Sequence, residues 1–330
     1  MLARFIPCAG LLIVRCFFLL NCERLSGRPL IFRSFSSLEV SEFDALYAEI
    51  EEAYSAFMQK RLYRANRKRK VGAGHPFKLP LNDRLLMLLM YYRLYVTSTL
   101  LAFLFDLGQT NVLKNIRMLE PLVSEVLPLS KKLHQKVRRL RTIDEVEELF
   151  PGFKAFLDAT EQEIPRPHNG RKQKSHCSGK KKRFTVKTQI TVNQKGLIVH
   201  KSAHAAGSTH DYALYKHSHP DLPDNVRLGL DLGYKGIEKD YPKLNCVLPF
   251  KRKNPGRGKW GMKGPELSAE QNAFNHELSK DRMAVEHTFS RLKKFHIWAD
   301  KFRNRLRHYD RATDIVCGLI NFRVTGTLFA

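Results

Sequence analysis

At residue 153 the hydrophobic pattern of this chain changes period, and that change restricts the fold more than any other feature. Upstream, "NDRLLMLLMYYRLYVTSTLLAFLFDLGQTNVLKNIRMLEPLVSEVLP" reads as helix almost throughout. Downstream, "FKAFLDATEQEI", "RFTVKTQITVN", "LIVHKSAHA", "VRLGLDLGY" and "LNCVLPFK" are short runs, apolar or alternating and rich in β-branched residues. Those are the marks of strands. Between the third and fourth runs, "GSTHDYALYKHSH" predicts a helix capped by Ser208 or Thr209. A long helix follows the fifth run, starting near Ser268. The order is three strands, a helix, a strand, a short helical turn, a strand and a long helix. It predicts an α/β domain over residues 150–330, built on a five-stranded sheet with flanking helices and preceded by an all-α region.

Charge narrows the partner. The chain carries 57 Lys and Arg against 32 Asp and Glu, a net charge of +25, while its 43% apolar content suffices for a core. A folded protein so basic points to a polyanion, most simply nucleic acid. None of the six cysteines forms a CxxC, so a zinc ribbon is not expected and the chain reads as a reduced, intracellular protein. Residues 1–36 read as an atypical apolar extension. Its run "FIPCAGLLIVRCFFLLNC" is interrupted by Arg15 and short for a spanning helix, and a membrane role fits the charge of the remainder badly. Residues 37–75 hold an acidic amphipathic helix and the basic linker "KRLYRANRKRKVGAGHP".

Within residues 76–145, "STLLAFLFDLGQTNVLKNIR" has the outline of a helix-turn-helix, with Ala102 as the small residue of the first helix and "DLGQ" as the turn. A second helix from about Thr110 would present Gln109, Asn111, Lys114, Asn115 and Arg117 to DNA. An ordinary helical hairpin fits the same pattern. Asp106 near the turn is a departure, because a carboxylate facing a phosphate weakens binding.

Three acids occupy telling positions. Asp158 ends the apolar run of the first strand, Asp231 closes the fourth, and Glu286 sits in "SKDRMAVEHTFSRLKKF" on the long helix. Arg282, Glu286, Phe289 and Lys293 share one stripe of that helix. If the first and fourth strands are neighbours, the two aspartates meet at their ends and the helix can bring Glu286 to the same point. Clustered carboxylates repel, and divalent cations remove that cost. Two Mg²⁺ ions about 3.5–4 Å apart serve in-line phosphoryl transfer. Taken singly, each acid also reads blandly: a strand-end cap, a turn residue, and the i,i+4 partner of Arg282. His200 and His204 form an HxxxH on a strand-like run, where that spacing does not align the rings for zinc. "GYKG" and "GRGKWG" lack P-loop spacing, and no G-x-S-x-G occurs. The basic loops at 165–183, with Lys180, Lys181 and Lys182, and at 251–263 are candidate DNA guides or simply solvated loops.

"FLDATEQEIPRP", "SGKKKRFTVKTQITV", "GSTHDYALYK", "LDLGYKG", "LSAEQNAFNHELSKDRMAVEHTFSRLKKF" and the following "RNR" resemble a DDE transposase of the insertion-sequence type, in the branch related to Harbinger elements. The resemblance runs from about Leu79 to Phe322. It implies a ribonuclease-H-like mixed five-stranded sheet, with Asp158, Asp231 and Glu286 as the catalytic, metal-holding triad. It also implies Arg282 and Lys293 as the basic residues four before and seven after the Glu, in contact with phosphates. A Tyr often stands three before that Arg, where this chain has Ser279. The implied reaction is end cleavage followed by joining of the 3′-hydroxyl to target DNA. It uses Mg²⁺, with Mn²⁺ as a substitute, and no small-molecule cofactor. The implied partner is double-stranded DNA carrying terminal inverted repeats, bound by at least a dimer in the nucleoid or nucleus. A catalytically silent DNA-binding descendant is the alternative.

Overall fold

The computed structural model describes residues 20–66, 74–252 and 265–328. Its sheet is centred on β1 (Lys154–Glu163), which pairs antiparallel with β2 (Thr185–Asn193) and parallel with β5 (Arg227–Gly229). β3 (Ile198–Lys201) continues antiparallel from β2, and β6 (Cys246–Val247) continues parallel from β5. The order β3-β2-β1-β5-β6 is the mixed five-stranded sheet expected from the sequence. A sixth strand, the two-residue β4 (Ala205–Ala206), pairs with β2 off that path.

Side chains alternate across a strand, so β1 serves two cores. Ala155 and Leu157 face a cluster containing α7 (Ser130–Val137), α8 (Ile143–Leu149), α10 (Asp211–His217) and α11 (Ile237–Asp240). Phe156 faces the opposite side, with Ile190 and Val192 of β2 and Val285, Phe289 and Leu292 of the long helix α12 (Ala269–Lys293). α12 starts at a capping box in which Ser268 Oγ accepts from the Gln271 amide, which fixes the start expected near Ser268. Its 25 residues span about 38 Å at ~1.5 Å per residue, enough to cross the whole sheet.

The helical half is joined to this second core. α1 (Cys22–Ser26), α2 (Pro29–Ser36) and α3 (Val40–Leu62) pack with α4 (Leu81–Leu94), α5 (Ser98–Leu104) and α6 (Gln109–Val126). α13 (His296–Ala299) and α14 (Tyr309–Thr325) close the same cluster from the C-terminal side. α4 is buried all round from Asp83 to Tyr92, as an apolar helix inside a core should be. Leu25 and Phe32 are buried as well, and Leu20 packs against the same cluster, so the packed chain includes residue 20, inside the stretch the sequence suggested as an extension. Residues 1–19 lie outside the described residues. Among the described residues no helix is long and apolar enough to cross a membrane.

Three local expectations need correction. Asp158 lies inside β1 rather than at its end, because the polar "ATEQE" goes on pairing with β2 and sets Glu161 opposite Lys187. The cap of α10 is His210, whose ring accepts from the Tyr212 amide; Ser208 instead donates to the Ser175 carbonyl. The basic stretch 165–183 is not all loop, since Asn169 caps the helix α9 (Gly170–His176) by accepting from the Arg171 and Lys172 amides.

Two measurements follow from this packing. A Cβ on Gly229 would lie 2.7 Å from Cδ1 of Phe156, its partner on β1, so Gly229→Ala overpacks the sheet. We expect a loss of about 1–3 kcal/mol in urea denaturation. Asp310 on α14 accepts from the His204 backbone amide and pairs with the His204 ring and with Lys201. Burial alone would raise its carboxyl, but those partners outweigh it and hold the pKa at about 2. The stability it contributes is therefore present above the unfolded value of about 3.9 and lost as pH falls through about 2. The urea midpoint of Asp310→Asn should lie below that of the parent at pH 5, with the gap closing towards pH 2.

Candidate active site

The parallel register sets Lys154, Ala155 and Phe156 opposite Arg227, Leu228 and Gly229. Carried two residues further, it sets Asp158 level with Asp231. Both follow the α12-facing parity of Phe156 and Gly229, so both carboxylates point to the side where α12 lies. β5 has ended at this level, and Asp231 caps a 3-10 turn, Leu232–Tyr234, by accepting from the Leu232 amide at 2.5 Å. Glu286 is exposed on α12 and lines one cleft with Asp158, Thr160, Phe289, Ser290, Lys293 and Lys294.

Arg282 occupies the ground between the aspartates. Its guanidinium lies 3.8 Å from an Asp158 oxygen and 3.9 Å from an Asp231 oxygen, and its side chain is only 17% exposed. The intrahelical Arg282–Glu286 pair that helix spacing allows is thus not formed, and Glu286 has no ion-pair partner among the described residues. Arg282 Nε is buried without a hydrogen-bond partner. Burial pushes the Asp158 carboxyl up; the Ala159 amide and Arg282 pull it down, and the charges of Asp231 and Asp211 push it up again. The pair thus carries more negative charge than one guanidinium at nearly 4 Å neutralises.

Among the described residues no three His, Cys, Asp or Glu side chains stand close enough to hold a metal ion as arranged. The donor set nevertheless fits a hard divalent cation. It comprises two carboxylates at one level already drawn to a cation, and a third on the wall of the cleft that Asp158 lines. The HxxxH does not form a site: His200 is buried on β3 against the His134 ring, and His204 bonds Asp310.

A family model described as "DDE superfamily endonuclease" matches residues 157–321, half of the chain, and one described as "Helix-turn-helix of DDE superfamily endonuclease" matches residues 77–129. The chain belongs to the DDE-superfamily transposases of insertion sequences. A similar protein is the "Probable transposase for insertion sequence element IS702" of Microchaete diplosiphon, 30% identical over 262 residues that cover 79% of this chain and 87% of that protein. No solved structure matches the chain.

In this transposase the helix-turn-helix is α5 and α6, joined by a turn in which the Leu107 amide donates to the Ala102 carbonyl. Asp106 takes a left-handed φ of 46° in that turn, and its carboxylate pairs with Lys78 at 2.5 Å. Lys78 therefore offsets the charge that made Asp106 an awkward residue there. Gln109, Asn111, Lys114 and Arg117 are exposed on α6, and Gln109 also donates to Ser98 Oγ. Asn115 is not available to DNA. It is 8% exposed, accepts from Nε of the buried Arg84 at 2.7 Å, and donates to the Asn111 carbonyl. Helical spacing from Val112 and Leu119 puts it on the core face. All three lysines after α9, Lys180, Lys181 and Lys182, are exposed; Lys181 also donates to the Glu161 carbonyl at 2.5 Å, and partial desolvation with the charges of Lys293 and Lys180 lowers its ammonium pKa. Residues 253–263 of the second basic loop lie outside the described residues.

The sequence reading missed the polar support behind the aspartates. Gln189 of β2, opposite Ala159, donates to the Tyr234 hydroxyl at 2.9 Å and to the Asp211 carbonyl. That bond ties the turn after Asp231 to the strand beside Asp158. Burial and the charges of Asp211, Asp158 and Asp231 push the Tyr234 phenol far up, so it stays protonated. Asp211 itself pairs with Lys187 at 2.8 Å.

The two faces of α6 make separable predictions. Asn115→Ala leaves Arg84 Nε without its acceptor in the core and should cost about 1–3 kcal/mol in chemical denaturation, leaving duplex affinity of the folded protein unchanged. Lys114→Ala should lower duplex affinity in fluorescence anisotropy and leave stability within about 0.5 kcal/mol.

Proposed function

We propose that this protein cuts the ends of a DNA element and joins the freed 3′-hydroxyl to target DNA, with Asp158, Asp231 and Glu286 as its catalytic acids. The observation that carries the reading is the level placement of Asp158 and Asp231 across β1 and β5, on the α12 side, with Glu286 on the wall of the cleft that Asp158 lines. In the first step water attacks the phosphorus at the element end, and the 3′ oxygen leaves as a hydroxyl. In the second step that hydroxyl attacks a target phosphodiester and displaces the target's own 3′ oxygen. The number of phosphodiester bonds is conserved in the second step, so no nucleotide cofactor is consumed.

Asp158, Asp231 and Glu286 would hold Mg²⁺, with Mn²⁺ as a substitute and two ions as the full complement. When bound, these ions supply Lewis-acid stabilisation of the attacking and leaving oxygens. The chain's own residues do the rest. Gln189 and Tyr234 hold the Asp231 turn against β2. Lys293 and Lys294 give the cleft a basic wall for the phosphates on either side of the scissile one. Arg282 neutralises the aspartates and lies within side-chain reach of the same backbone. The exposed residues of α6 bind the terminal repeats. Two ends have to be held together for joining, so we propose at least a dimer in the DNA complex, working inside the cell.

The test is a labelled duplex carrying the repeats that flank the gene. We expect nicked and joined products with Mg²⁺, and none with EDTA or with Glu286→Gln. Binding of that variant to the duplex should stay within a few-fold of the parent. Cleavage without joining would reduce the function to that of a nuclease. Tight, salt-sensitive binding without products from the unmutated protein would leave only a DNA-binding descendant.

A further inference from the structure

A second cleft lies on the far flank of α12 and has no part in the reading above. It is about 460 Å³, and Lys195, Arg291, Lys294 and Arg323 line it together with Phe295, Ile320 and Ser37. No carboxylate lines it, although Glu42 reaches Arg323 at 3.7 Å. Lys195, Arg291 and Lys294 have no ion-pair partner among the described residues. Lys294 lines both this cleft and the catalytic one.

The placement of Lys195 is built in. It stands in the β2–β3 turn beside Gly196, which has φ +80° and pushes its backbone against α12. A Cβ on Gly196 would meet Thr288 Oγ1 at 2.9 Å and the Arg291 guanidinium at 3.2 Å, so only glycine permits this approach. The Gly196 carbonyl lies 3.3 Å from Thr288 Oγ1, whose proton has a shorter acceptor in the Ala284 carbonyl at 2.9 Å, so close packing rather than this bond holds the turn against the helix.

At ~100° per residue, Lys293 and Arg291 lie about 200° apart, on opposite flanks of the helix. His287, Ser290 and Lys294 form the exposed crest between them, while Val285, Thr288, Phe289 and Leu292 are buried beneath. The C-terminal half of α12 is thus a ridge, with the catalytic cleft, where Lys293 stands beside the carboxylates, on one side and a carboxylate-free basic cleft on the other. With side chains a helix is about 10–12 Å across. The major groove of duplex DNA is about 12 Å wide, with a row of phosphates on each rim.

We propose that a groove of duplex DNA straddles this ridge, so that the reacting strand's backbone runs in the catalytic cleft and the opposite strand's backbone runs in the cleft of Lys195, Arg291 and Arg323. The inference rests on the proposed transposase activity and adds to it a recognition surface for the strand that is not cut. Because each flank takes one strand, the second cleft is a duplex sensor, blind to single-stranded DNA.

The experiment measures anisotropy of a labelled duplex, and of its cut strand alone, over a range of salt. The proteins are the parent, Lys195→Glu/Arg291→Glu, and the milder Lys195→Ala/Arg291→Gln in case charge reversal disturbs folding. Each phosphate contact contributes about 0.9 to the slope of log affinity against log salt, so the duplex slope should fall by about 2 in the double variants. The single-strand slope should not change. Without any mutation, duplex but not single strand should protect Lys195 from acetylation, read by mass spectrometry. An unchanged duplex slope, equal losses on duplex and single strand, or a Lys195 that stays reactive in the duplex complex would each overturn the ridge. If the unmutated protein bound no duplex at all, the transposase reading itself would fall with it.

Discussion

The parallel pairing of β1 with β5 forces two carboxylates, Asp158 and Asp231, to one level on one face of the sheet, and much of the surrounding structure answers that juxtaposition. Burial is the main penalty on the ionised form of Asp158, and the like charge of Asp231 adds to it. The chain meets the cost locally with Arg282, which α12 delivers between them, and partially at that: both contacts are close to 4 Å and one guanidinium nitrogen is left without a partner. A site so arranged favours any stronger cation. The same helix pins Asp281 to Lys154 at one end of β1 and carries Lys293 to the cleft beside Asp158 and Thr160.

Much of this was legible in the sequence because the signals were periodic. The change of period at residue 153 gave the division into helical and sheet-bearing parts, and helical spacing put Arg282, Glu286, Phe289 and Lys293 on one stripe of α12, beside which Val285 and Leu292 are buried. The adjacency of β1 and β5 could only be stated as a condition, since about seventy residues separate them and pairing at that distance is decided by the whole sheet. β4 gave no signal, because two alanines have no pattern. Polarity rises after Asp158, which suggests a strand end there; in the structure Glu161 and Glu163 go on pairing, with Lys187 of β2 and Arg183 just before it as counter-charges.

The site residues divide by the same logic. Glu286, Lys293 and Arg282 were readable as one helical stripe, but which partner Arg282 would choose was not, since a carboxylate four residues away competed with two that the fold brings from elsewhere. Asn115 looked like a base-reading residue by its chemistry, and its position between Val112 and Leu119 argued otherwise. Arg84 needed a buried acceptor, and Asn115 supplies it. The support from Gln189 and Tyr234 crosses three elements and has no local signature.

The central claim is that Asp158, Asp231 and Glu286 form one divalent-cation site although they come from two strands and a helix. It is tested most directly by replacing the physiological ion with ferrous iron, adding ascorbate and peroxide, and mapping where the hydroxyl radicals cut the chain in the presence of duplex DNA. The account predicts cuts clustered at three places, near residues 158, 231 and 286, all suppressed by excess Mg²⁺. Cuts at 158 and 231 without one at 286, or a cluster elsewhere in the chain, would contradict it.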